Sequence, residues 1–350
     1  MEHTGVDGSM WPLVSVIMPL RNEADMIRRS LGAVLAQDYP GEQLEVLVVD
    51  GMSDDDTRAI VGEMAAADGR VRLLDNPARI VPTAMNIGIA AARGEVIVRV
   101  DGHTLIAPDY VARCVHHLRE TGADNVGGAM QPAGLTPVGR AIAAATRSPF
   151  GIPTRFHHSA RPGFVDTVYM GAWPRATLVR VGGFDESLVR NQDYELNYRI
   201  RRSGGRIYFA PDIRSTYYGR QTLTALARQY FQYGAWKARV IAQHPLSTRP
   251  RHLVAPAFVA AVAVGAALAP VSRWARALLA LAAGSYALAN GAVSLRLAAR
   301  RGRDLLPWLP VAFATVHVSW GAGFWWGVAQ LARRALAGIG GCCRAGAPRG

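Results

Sequence analysis

The chain has 350 residues, of which 50% are hydrophobic and 19% are charged. This length suffices for one large domain or two smaller ones with a buried core, and the apolar fraction excludes a disordered or collagen-like chain. Three cysteines are too few for a disulfide scaffold, so a reducing compartment fits the composition.

The net charge of +13 is unevenly distributed along the chain. Residues 1–250 carry 28 basic and 25 acidic side chains, whereas residues 251–350 carry 11 arginines and the single acid Asp304. The excess positive charge therefore lies in the apolar part of the chain. This distribution argues against a nucleic-acid partner and favours basic residues that flank membrane segments.

Strand-like and helix-like segments alternate after a short tail at residues 1–12. Four apolar, β-rich runs predict strands at residues 13–18, 45–49, 71–74 and 95–100. Asn22 and Ser53 are typical helix caps, and Pro82 and Pro108 suit the start of a helix. The alternation predicts an α/β domain over residues 13–220, with a parallel sheet, helices on both faces, and ligands at the carboxyl ends of the strands.

The segment at residues 221–250 mixes aromatic and basic residues. Its central part, residues 223–243, contains Tyr230, Phe231 and Trp236 together with Arg228 and Arg239. Such a pattern predicts an amphipathic helix. Two interpretations stay open: a helix that lies along a membrane surface, and an ordinary core helix.

Three charge-free runs follow, at residues 253–271, 277–295 and 305–331. Each is close to or above the length of about 20 residues that spans a bilayer, and arginines separate them. We therefore predict a transmembrane region of about three helices at residues 251–332, followed by a tail at 333–350. A shallow hairpin of the first two runs, or buried helices of a soluble domain, are alternatives. Arginines between the second and third runs place the N-terminal domain in the cytoplasm of a multi-pass, inner-membrane protein.

Acidic side chains stand where predicted strands end. Asp50 ends the second strand, and Asp101 ends the fourth, followed by Gly102 and His103. A carboxylate and an imidazole at alternate positions could hold a divalent cation against a diphosphate. A surface histidine in a loop is the alternative for His103.

The order of the motifs resembles a known family. The segments at residues 14–23, 48–57, 86–88, 93–95 and 101–103, followed by those at 182–186 and 191–196, are similar to family 2 glycosyltransferases of the GT-A fold. The similarity covers roughly residues 13–245. The form Asp101-Gly102-His103 and the three apolar runs resemble most the succinoglycan-biosynthesis (ExoA-like) subgroup.

The resemblance implies roles for individual residues. Residues that would bind the nucleotide-sugar, a UDP-sugar by this resemblance, are Pro19, Arg21, Glu23, Asp50, Ser53 and Asp101. Asp101 and His103 occupy the Asp-x-Asp position of the family and would bind Mn²⁺ or Mg²⁺. Asp193 would be the general base, and the glutamate that precedes it in the family is Gln192 here.

Further residues are candidates for the donor and acceptor sites. Arg220 is a candidate cation for the diphosphate, or else a surface arginine. Gln192 and Tyr194 are candidates for contacts with the acceptor, as is Trp173, which is equally well explained as a core residue. Ala235 replaces the arginine of the Gln-x-x-Arg-Trp motif of processive members, which indicates one sugar per acceptor.

These patterns favour a membrane-anchored, inverting glycosyltransferase that acts on a lipid-linked or polysaccharide acceptor in exopolysaccharide or cell-envelope glycan synthesis. A single base suits this chemistry, because a nucleoside diphosphate leaves without a general acid. A sugar nucleotidyltransferase is one alternative, although the loop after the first strand has no glycine. A catalytically inactive sugar-nucleotide-binding membrane protein is the other.

Overall fold

The computed structural model describes residues 11–344, except for the side chains of residues 155, 158 and 338–344. Most of the predicted N-terminal tail and the end of the predicted C-terminal tail lie outside the described residues. The chain divides into two compact units. The first comprises the residues up to Gln131 together with His158–Tyr217, and the second comprises Pro132–His157 together with the residues from Tyr218 onwards. Residues 132–157 thus belong to the second unit, although the sequence interpretation assigned them to the α/β domain.

The first unit is built on a nine-stranded mixed sheet. Its strands are β1 (Val14–Leu20), β2 (Leu44–Asp50), β3 (Val71–Asp75), β4 (Val96–Arg99), β5 (Thr104–Ile106), β6 (Asn125–Ala133), β7 (Gly163–Val165), β8 (Tyr169–Pro174) and β9 (Ile207–Tyr218). The order is β3-β2-β1-β4-β8-β6-β9-β5, and β7 pairs with β9. Strands β1 to β4 run parallel, whereas β8 is antiparallel to both β4 and β6.

The helices between these strands cover both faces of the sheet. In the first unit they are α1 (Ala24–Leu35), α2 (Thr57–Ala67), α3 (Val81–Ala91), α4 (Tyr110–Thr121), α7 (Arg175–Val181) and α8 (Gln192–Arg202). Helix α5 (Pro137–Thr146) belongs to the second unit, and the short α6 (Arg155–His158) spans the sequence boundary between the units. Apolar residues of α1, α2 and α4 share one core with β1 and β2. Helix α3 packs on β1, where a Cβ at Gly88 would lie 2.6 Å from Ile17 Cγ2. Both faces of β1 and β2 are therefore buried, as is typical of central parallel strands.

The four predicted parallel strands and the helices after them are confirmed. The antiparallel half of the sheet was not predicted, because β5 and β7 are only three residues long and β6 contains two glycines and a proline. Short runs of this kind carry little periodicity. The fold is therefore an α/β fold with a mixed sheet, and not the purely parallel sheet that the first hundred residues indicate.

Two predicted helix caps are wrong. Helix α1 begins at Ala24 after Glu23, and α2 begins at Thr57 after Asp56, with no side-chain cap at either position. Asn22 instead has a positive φ of 57°, and its side-chain amide donates to Asp54 over 2.7 Å. Asn22 and Ser53 lie in two loops that are joined by hydrogen bonds. Contacts between these loops, and not helix capping, therefore determine what the two side chains do.

The second unit is helical. It contains α5 together with α9 (Leu223–Gln243), α10 (Val254–Leu268), α11 (Arg273–Arg301) and α12 (Leu309–Arg344). Helices α9 and α12 approach closely at glycines: a Cβ at Gly234 would lie 2.1 Å from the Trp320 carbonyl oxygen, and one at Gly323 2.0 Å from that of Phe231. The predicted amphipathic helix at 223–243 is therefore present, and one of its faces packs on α12.

One helix among the described residues, α11, is long and apolar enough to cross a membrane by length and composition. Helix α10 is apolar but has only 15 residues. The prediction of about three transmembrane helices is therefore not confirmed.

Candidate active site

Loops at the carboxyl ends of β1 and β2 are joined by hydrogen bonds. The backbone N–H of Asn22 donates to Ser53 Oγ over 2.9 Å, and that of Glu23 donates to Thr57 Oγ1 over 2.8 Å. Asn22 and Met52 both have positive φ angles, of 57° and 56°. Strained backbone in two adjacent loops is typical of a functional site. The conformation of these two loops is therefore fixed by hydrogen bonds between them.

Asp50 is fully buried at the end of β2. Its carboxylate accepts hydrogen bonds from the backbone N–H of Ser53 at 2.9 Å and from Ser53 Oγ at 2.5 Å, and it pairs with Arg58 Nη1 at 2.8 Å. Arg58 also pairs with Asp75 at the end of β3. In this structure Asp50 fixes the loop after β2, and its predicted contact with the nucleotide base stays a prediction.

The buried guanidinium of Arg99 contacts both Asp101, the predicted metal ligand, and Asp193, the predicted general base. Arg99 on β4 places Nε 2.7 Å from Asp101 Oδ1 and Nη1 2.5 Å from Asp193 Oδ1. Its side chain is only 7% exposed, whereas that of Asp193 is 33% exposed. Asp101 is therefore held beside Asp193 although 92 residues separate them in sequence.

Burial and neighbouring charges both shift the pKa values of Asp193, Arg99 and Tyr169. Burial raises the pKa of Asp193 above its ordinary value, Asp101 adds to that effect, and Arg99 opposes it. Burial disfavours the charged form of Arg99, but the two carboxylates outweigh this cost, so its pKa lies above the ordinary value. Burial and the Asp101 carboxylate likewise raise the pKa of Tyr169, whose hydroxyl donates to Asp101 Oδ2 over 3.3 Å. Tyr169 therefore remains a neutral donor to Asp101.

His103 lies beside the loop after β1. Its Nδ1 is 2.8 Å from Glu23 Oε1, and its ring contacts Tyr217 edge-on at 5.1 Å between ring centroids. A Cβ at Gly102 would lie 3.0 Å from Glu23 Cγ, so a small residue between Asp101 and His103 permits this contact. A carboxylate that holds one imidazole nitrogen orients the ring and makes its other nitrogen a better ligand.

The residues at this position fit a divalent cation. Asp101 offers a carboxylate and His103 an imidazole, a mixed oxygen and nitrogen donor set that suits Mn²⁺. Glu23 and Tyr169 would act as the outer groups that orient these ligands. Glu23 contacts the predicted metal ligand His103 in this structure, and its predicted contact with the nucleotide stays a prediction.

Asp193 is positioned by the start of α8. Asn191, directly before the helix, has a positive φ of 62°, which turns the chain into the helix within one residue. Within the same helix, Arg199 forms an ion pair with Glu195 at 2.6 Å and donates to the carbonyl of Gly183. These contacts hold the first turn of α8, and with it Asp193, against α7.

The segment at residues 182–186 is tied to α3. Asn86 Nδ2 donates to the Phe184 carbonyl over 2.9 Å and to Glu186 Oε1 over 2.8 Å, and Asn86 Oδ1 accepts from the Phe184 N–H over 2.8 Å. One asparagine thereby joins two of the motifs recognised in the sequence.

The other predicted site residues differ in their exposure to solvent. Pro19 is buried within β1 and does not start the first helix, and its predicted contact with the nucleotide stays a prediction. Arg21 is exposed in the loop after β1. Gln192 and Tyr194 are buried on α8, with 7% and 8% exposure.

Trp173 does not suit an acceptor site. It is 1% exposed on β8 and contacts Phe184 edge-on, so the ring offers no face to a sugar. The core interpretation that the sequence left open is the correct one. Arg220 follows β9 and belongs to the second unit, so its predicted contact with the diphosphate stays a prediction.

Arg58, Arg99 and Tyr169 were missed by the sequence interpretation. Arg99 carried one signal: a charged residue within the apolar run of residues 95–100 must be paired if the strand is buried. Arg58 and Tyr169 had no comparable signal, because an arginine on a helix and a tyrosine at the start of a strand are common without a functional partner.

A parallel α/β half-sheet extended by antiparallel strands, with paired acids at its carboxyl edge, defines a GT-A-like fold. The structure is similar to the mannosyltransferase PcManGT from Pyrobaculum calidifontis, which was solved in complex with GDP-Man and Mn²⁺. The TM-score is 0.59 at 25% sequence identity, over 90% of this chain and 89% of that one. The class is therefore that of enzymes that transfer a sugar from a nucleotide-sugar.

The chain belongs to glycosyl transferase family 2. Residues 15–181 match the family described as "Glycosyl transferase family 2". Succinoglycan biosynthesis protein ExoA of Rhizobium meliloti (strain 1021) is 33% identical over 91% of this chain and 96% of its own length. A Methanococcus voltae protein, named dolichyl N-acetyl-alpha-D-glucosaminyl phosphate 3-beta-D-2,3-diacetamido-2,3-dideoxy-beta-D-glucuronosyltransferase, is 25% identical over 65% of this chain and 74% of its own length.

Proposed function

We propose that this glycosyltransferase inverts the anomeric centre and uses Asp193 as its general base. The observation that carries the proposal is the Arg99 bridge, which holds Asp193 beside Asp101. An inverting transfer needs a base on the acceptor side and charge stabilisation on the diphosphate side. The side chain of Asp193 is partly exposed, whereas that of Arg99 is buried. A base must be accessible in this way to the incoming acceptor hydroxyl.

The residues would divide the reaction as follows. Asp193 takes the proton from the acceptor hydroxyl, whose oxygen forms the new bond to the anomeric carbon, while the bond to the nucleoside diphosphate breaks. Asp101 and His103 would hold Mn²⁺ or Mg²⁺, which supplies neutralising charge to the leaving diphosphate. Glu23 orients His103, Tyr169 orients Asp101, and Arg21 and Ser53 are the proposed contacts to the nucleotide. Arg220 is the proposed further cation for the diphosphate.

We infer a UDP-sugar as the donor from the family resemblance of the loops after β1 and β2. GDP-mannose is the second candidate, since the mannosyltransferase with 25% identity carries GDP-Man. For the acceptor we propose a lipid-linked or growing glycan in exopolysaccharide or cell-envelope synthesis. The names of the two curated relatives, a succinoglycan biosynthesis protein and a dolichyl phosphate sugar transferase, support that class. Gln192 and Tyr194 remain proposed acceptor residues.

We propose that the helical unit anchors the enzyme in the cell membrane, with the catalytic unit on the cytoplasmic side. Helix α11 has 29 residues and thus a length of about 43 Å, which exceeds the hydrocarbon thickness of about 30 Å. Only 11% of its most apolar stretch is buried within the protein, and it begins at Arg273 and ends at Arg301. A core helix of a soluble protein would be mostly buried. Whether α10 and α12 also cross the bilayer is part of the proposal of a multi-pass protein.

The test is nucleotide release by membranes that contain the full chain. Such membranes are incubated with a panel of UDP-sugars and GDP-mannose, with Mn²⁺ or Mg²⁺, and with lipid extract as the acceptor source. We expect metal-dependent release of UDP or GDP with one donor. Asp193→Asn should lower the rate by about 10²- to 10⁴-fold while nucleotide binding persists. Asp25→Asn, an exposed aspartate on α1, is the matched control and should retain the wild-type rate. Equal rates for Asp193→Asn and the wild type would overturn the assignment of the base.

A further inference from the structure

Two histidines and a glutamate converge near the end of α4, and the proposed transfer reaction has no use for them. His116 Nε2 lies 3.2 Å from Glu120 Oε2, and His117 Nδ1 lies 3.5 Å from the same oxygen. All three ligand atoms lie within 4.8 Å of one another. The cluster belongs wholly to the first unit.

The tautomer of His117 is set by a carboxylate on β9. His117 Nε2 lies 2.9 Å and 3.0 Å from the two oxygens of Asp212. An ionised carboxylate only accepts hydrogen bonds, so Nε2 carries the proton. In the neutral ring the lone pair is then on Nδ1, the nitrogen nearest to Glu120.

His117 Nδ1 is buried and has no hydrogen-bond partner among the described residues. A buried nitrogen of this kind needs a partner, and here it is directed at Glu120. The arrangement of carboxylate, histidine and vacant nitrogen is the one by which proteins orient a histidine toward a metal. Arg113 lies 3.5 Å from Asp212 and pairs with Asp109, so Asp212 is already partly neutralised.

The spacing of the ligand atoms suits a tetrahedral metal. Tetrahedral bonds of about 2.0–2.2 Å from Zn²⁺ to imidazole nitrogen or carboxylate oxygen imply ligand atoms about 3.3–3.6 Å apart. Two of the three separations, 3.2 Å and 3.5 Å, lie near this range, and the third, between the two histidine nitrogens, is at most 4.8 Å. Two imidazoles and one carboxylate are a donor set that favours Zn²⁺ and similar transition metals over Mg²⁺.

We propose that His116, His117 and Glu120 form a second metal site, specific for Zn²⁺ or a similar transition metal, and that Asp212 orients His117 from the outer shell. A metal there would fasten the end of α4 to β9 and leave one coordination position for water. The competing explanation is a set of surface ion pairs around His117 that binds no metal. The proposal is independent of the transferase reaction.

Co²⁺ absorption spectroscopy of the full chain in detergent tests the site, because tetrahedral Co²⁺ has strong visible bands that octahedral Co²⁺ lacks. We expect one equivalent of such Co²⁺, displaced by Zn²⁺. His116→Gln and Glu120→Gln replace side chains that are 61% and 60% exposed, so the fold should persist. Each should weaken Co²⁺ binding at least 100-fold, and Asp212→Asn should weaken it about 10- to 100-fold.

Two control variants separate this site from other causes. Glu63→Gln changes a glutamate on α2 that is equally exposed, at 65%, and should leave the bands unchanged. His103→Gln should also leave them unchanged; bands that vanish in this variant would belong to the proposed catalytic site and would overturn the proposal. Bands that survive in both His116→Gln and Glu120→Gln, or that are absent from the wild type, would overturn it as well. Thermal unfolding provides a second readout, since Zn²⁺ should raise Tm for the wild type and not for Glu120→Gln.

Discussion

The two units of the chain differ in the exposure of their large apolar side chains. In the first unit, residues such as Val16, Leu31 and Val48 are wholly buried between the sheet and its helices. In the second unit, α10 and α11 expose many large apolar side chains: Val254, Val264, Leu268, Trp274, Leu278, Leu281, Leu288 and Leu295. Contiguous apolar surface of this kind is rare on soluble proteins. The first unit therefore has its own buried core, and the exposed apolar surface of α10 and α11 is the surface that the proposed membrane anchor would cover.

The sharpest test of this comparison is a pair of leucine truncations. Leu31→Ala empties part of a core that is completely buried, and we expect it to lower the free energy of unfolding by about 2–5 kcal/mol. Leu288→Ala removes a side chain that is 77% exposed, and we expect a change within about 0.5 kcal/mol. Denaturant unfolding in detergent measures both. Equal losses would show that α11 is buried against protein and would contradict the comparison.

A charge on α11 tests what covers its exposed surface. Leu281→Asp places a carboxylate near the middle of the helix, at a position that is 68% exposed. In a bilayer this costs about 2.5–3.5 kcal/mol, so less protein should remain in the membrane fraction after cell lysis. Asp is tolerated at an exposed position in water, and an unchanged distribution would therefore argue against membrane insertion of α11. Val179→Asp, on a helix of the first unit with 65% exposure, is the matched control and should leave the distribution unchanged.

The proposed base Asp193 and the proposed metal ligand Asp101 should both depend on Arg99. Arg99→Lys keeps the charge but cannot reach both Asp101 and Asp193, so kcat should fall by up to about 100-fold. Arg99 holds the pKa of Asp193 down against burial, so a weaker contact raises this pKa. The base is then protonated over a wider acidic range, and the acidic limb of the pH–rate profile should move to higher pH.

Arg28→Lys provides the control for this substitution. Arg28 pairs with Glu63 on the surface of the first unit, and both side chains are at least 60% exposed. Its pH–rate profile should match that of the wild type. An acidic limb that moves to lower pH in Arg99→Lys, or does not move, would contradict the role given to Arg99.

The smallest expected effect concerns glycines within helices. A Cβ at Gly62 on α2 would meet no atom within 4 Å, so Gly62→Ala should stabilise the first unit by about 0.5–1 kcal/mol. Gly88→Ala, on the helix that packs against Ile17, should instead destabilise it. Thermal unfolding distinguishes the two. A stabilising Gly88→Ala would show that α3 has room to move away from β1.

The parallel half of the sheet and the family were within reach of the sequence. Apolar runs ending at Asp50 and Asp101 recur with helical segments between them, and both the strand pattern and the motif order are local properties of the chain. The apolar, arginine-flanked runs likewise indicated helices after residue 245. These features were readable because hydrophobic periodicity acts over a few neighbouring residues.

Only the tertiary structure decided which polar groups meet. Arg99 joins Asp193 across 94 residues, Asn86 joins Phe184 across 98, and Glu23 joins His103 across 80. Trp173, a candidate sugar-stacking residue in the sequence, is buried on β8, and residues 132–157 make most of their contacts with the second unit. The physical reason is the same in each case: a charged or aromatic side chain is suited to several partners, and the packing of distant strands and loops determines which partner is within reach.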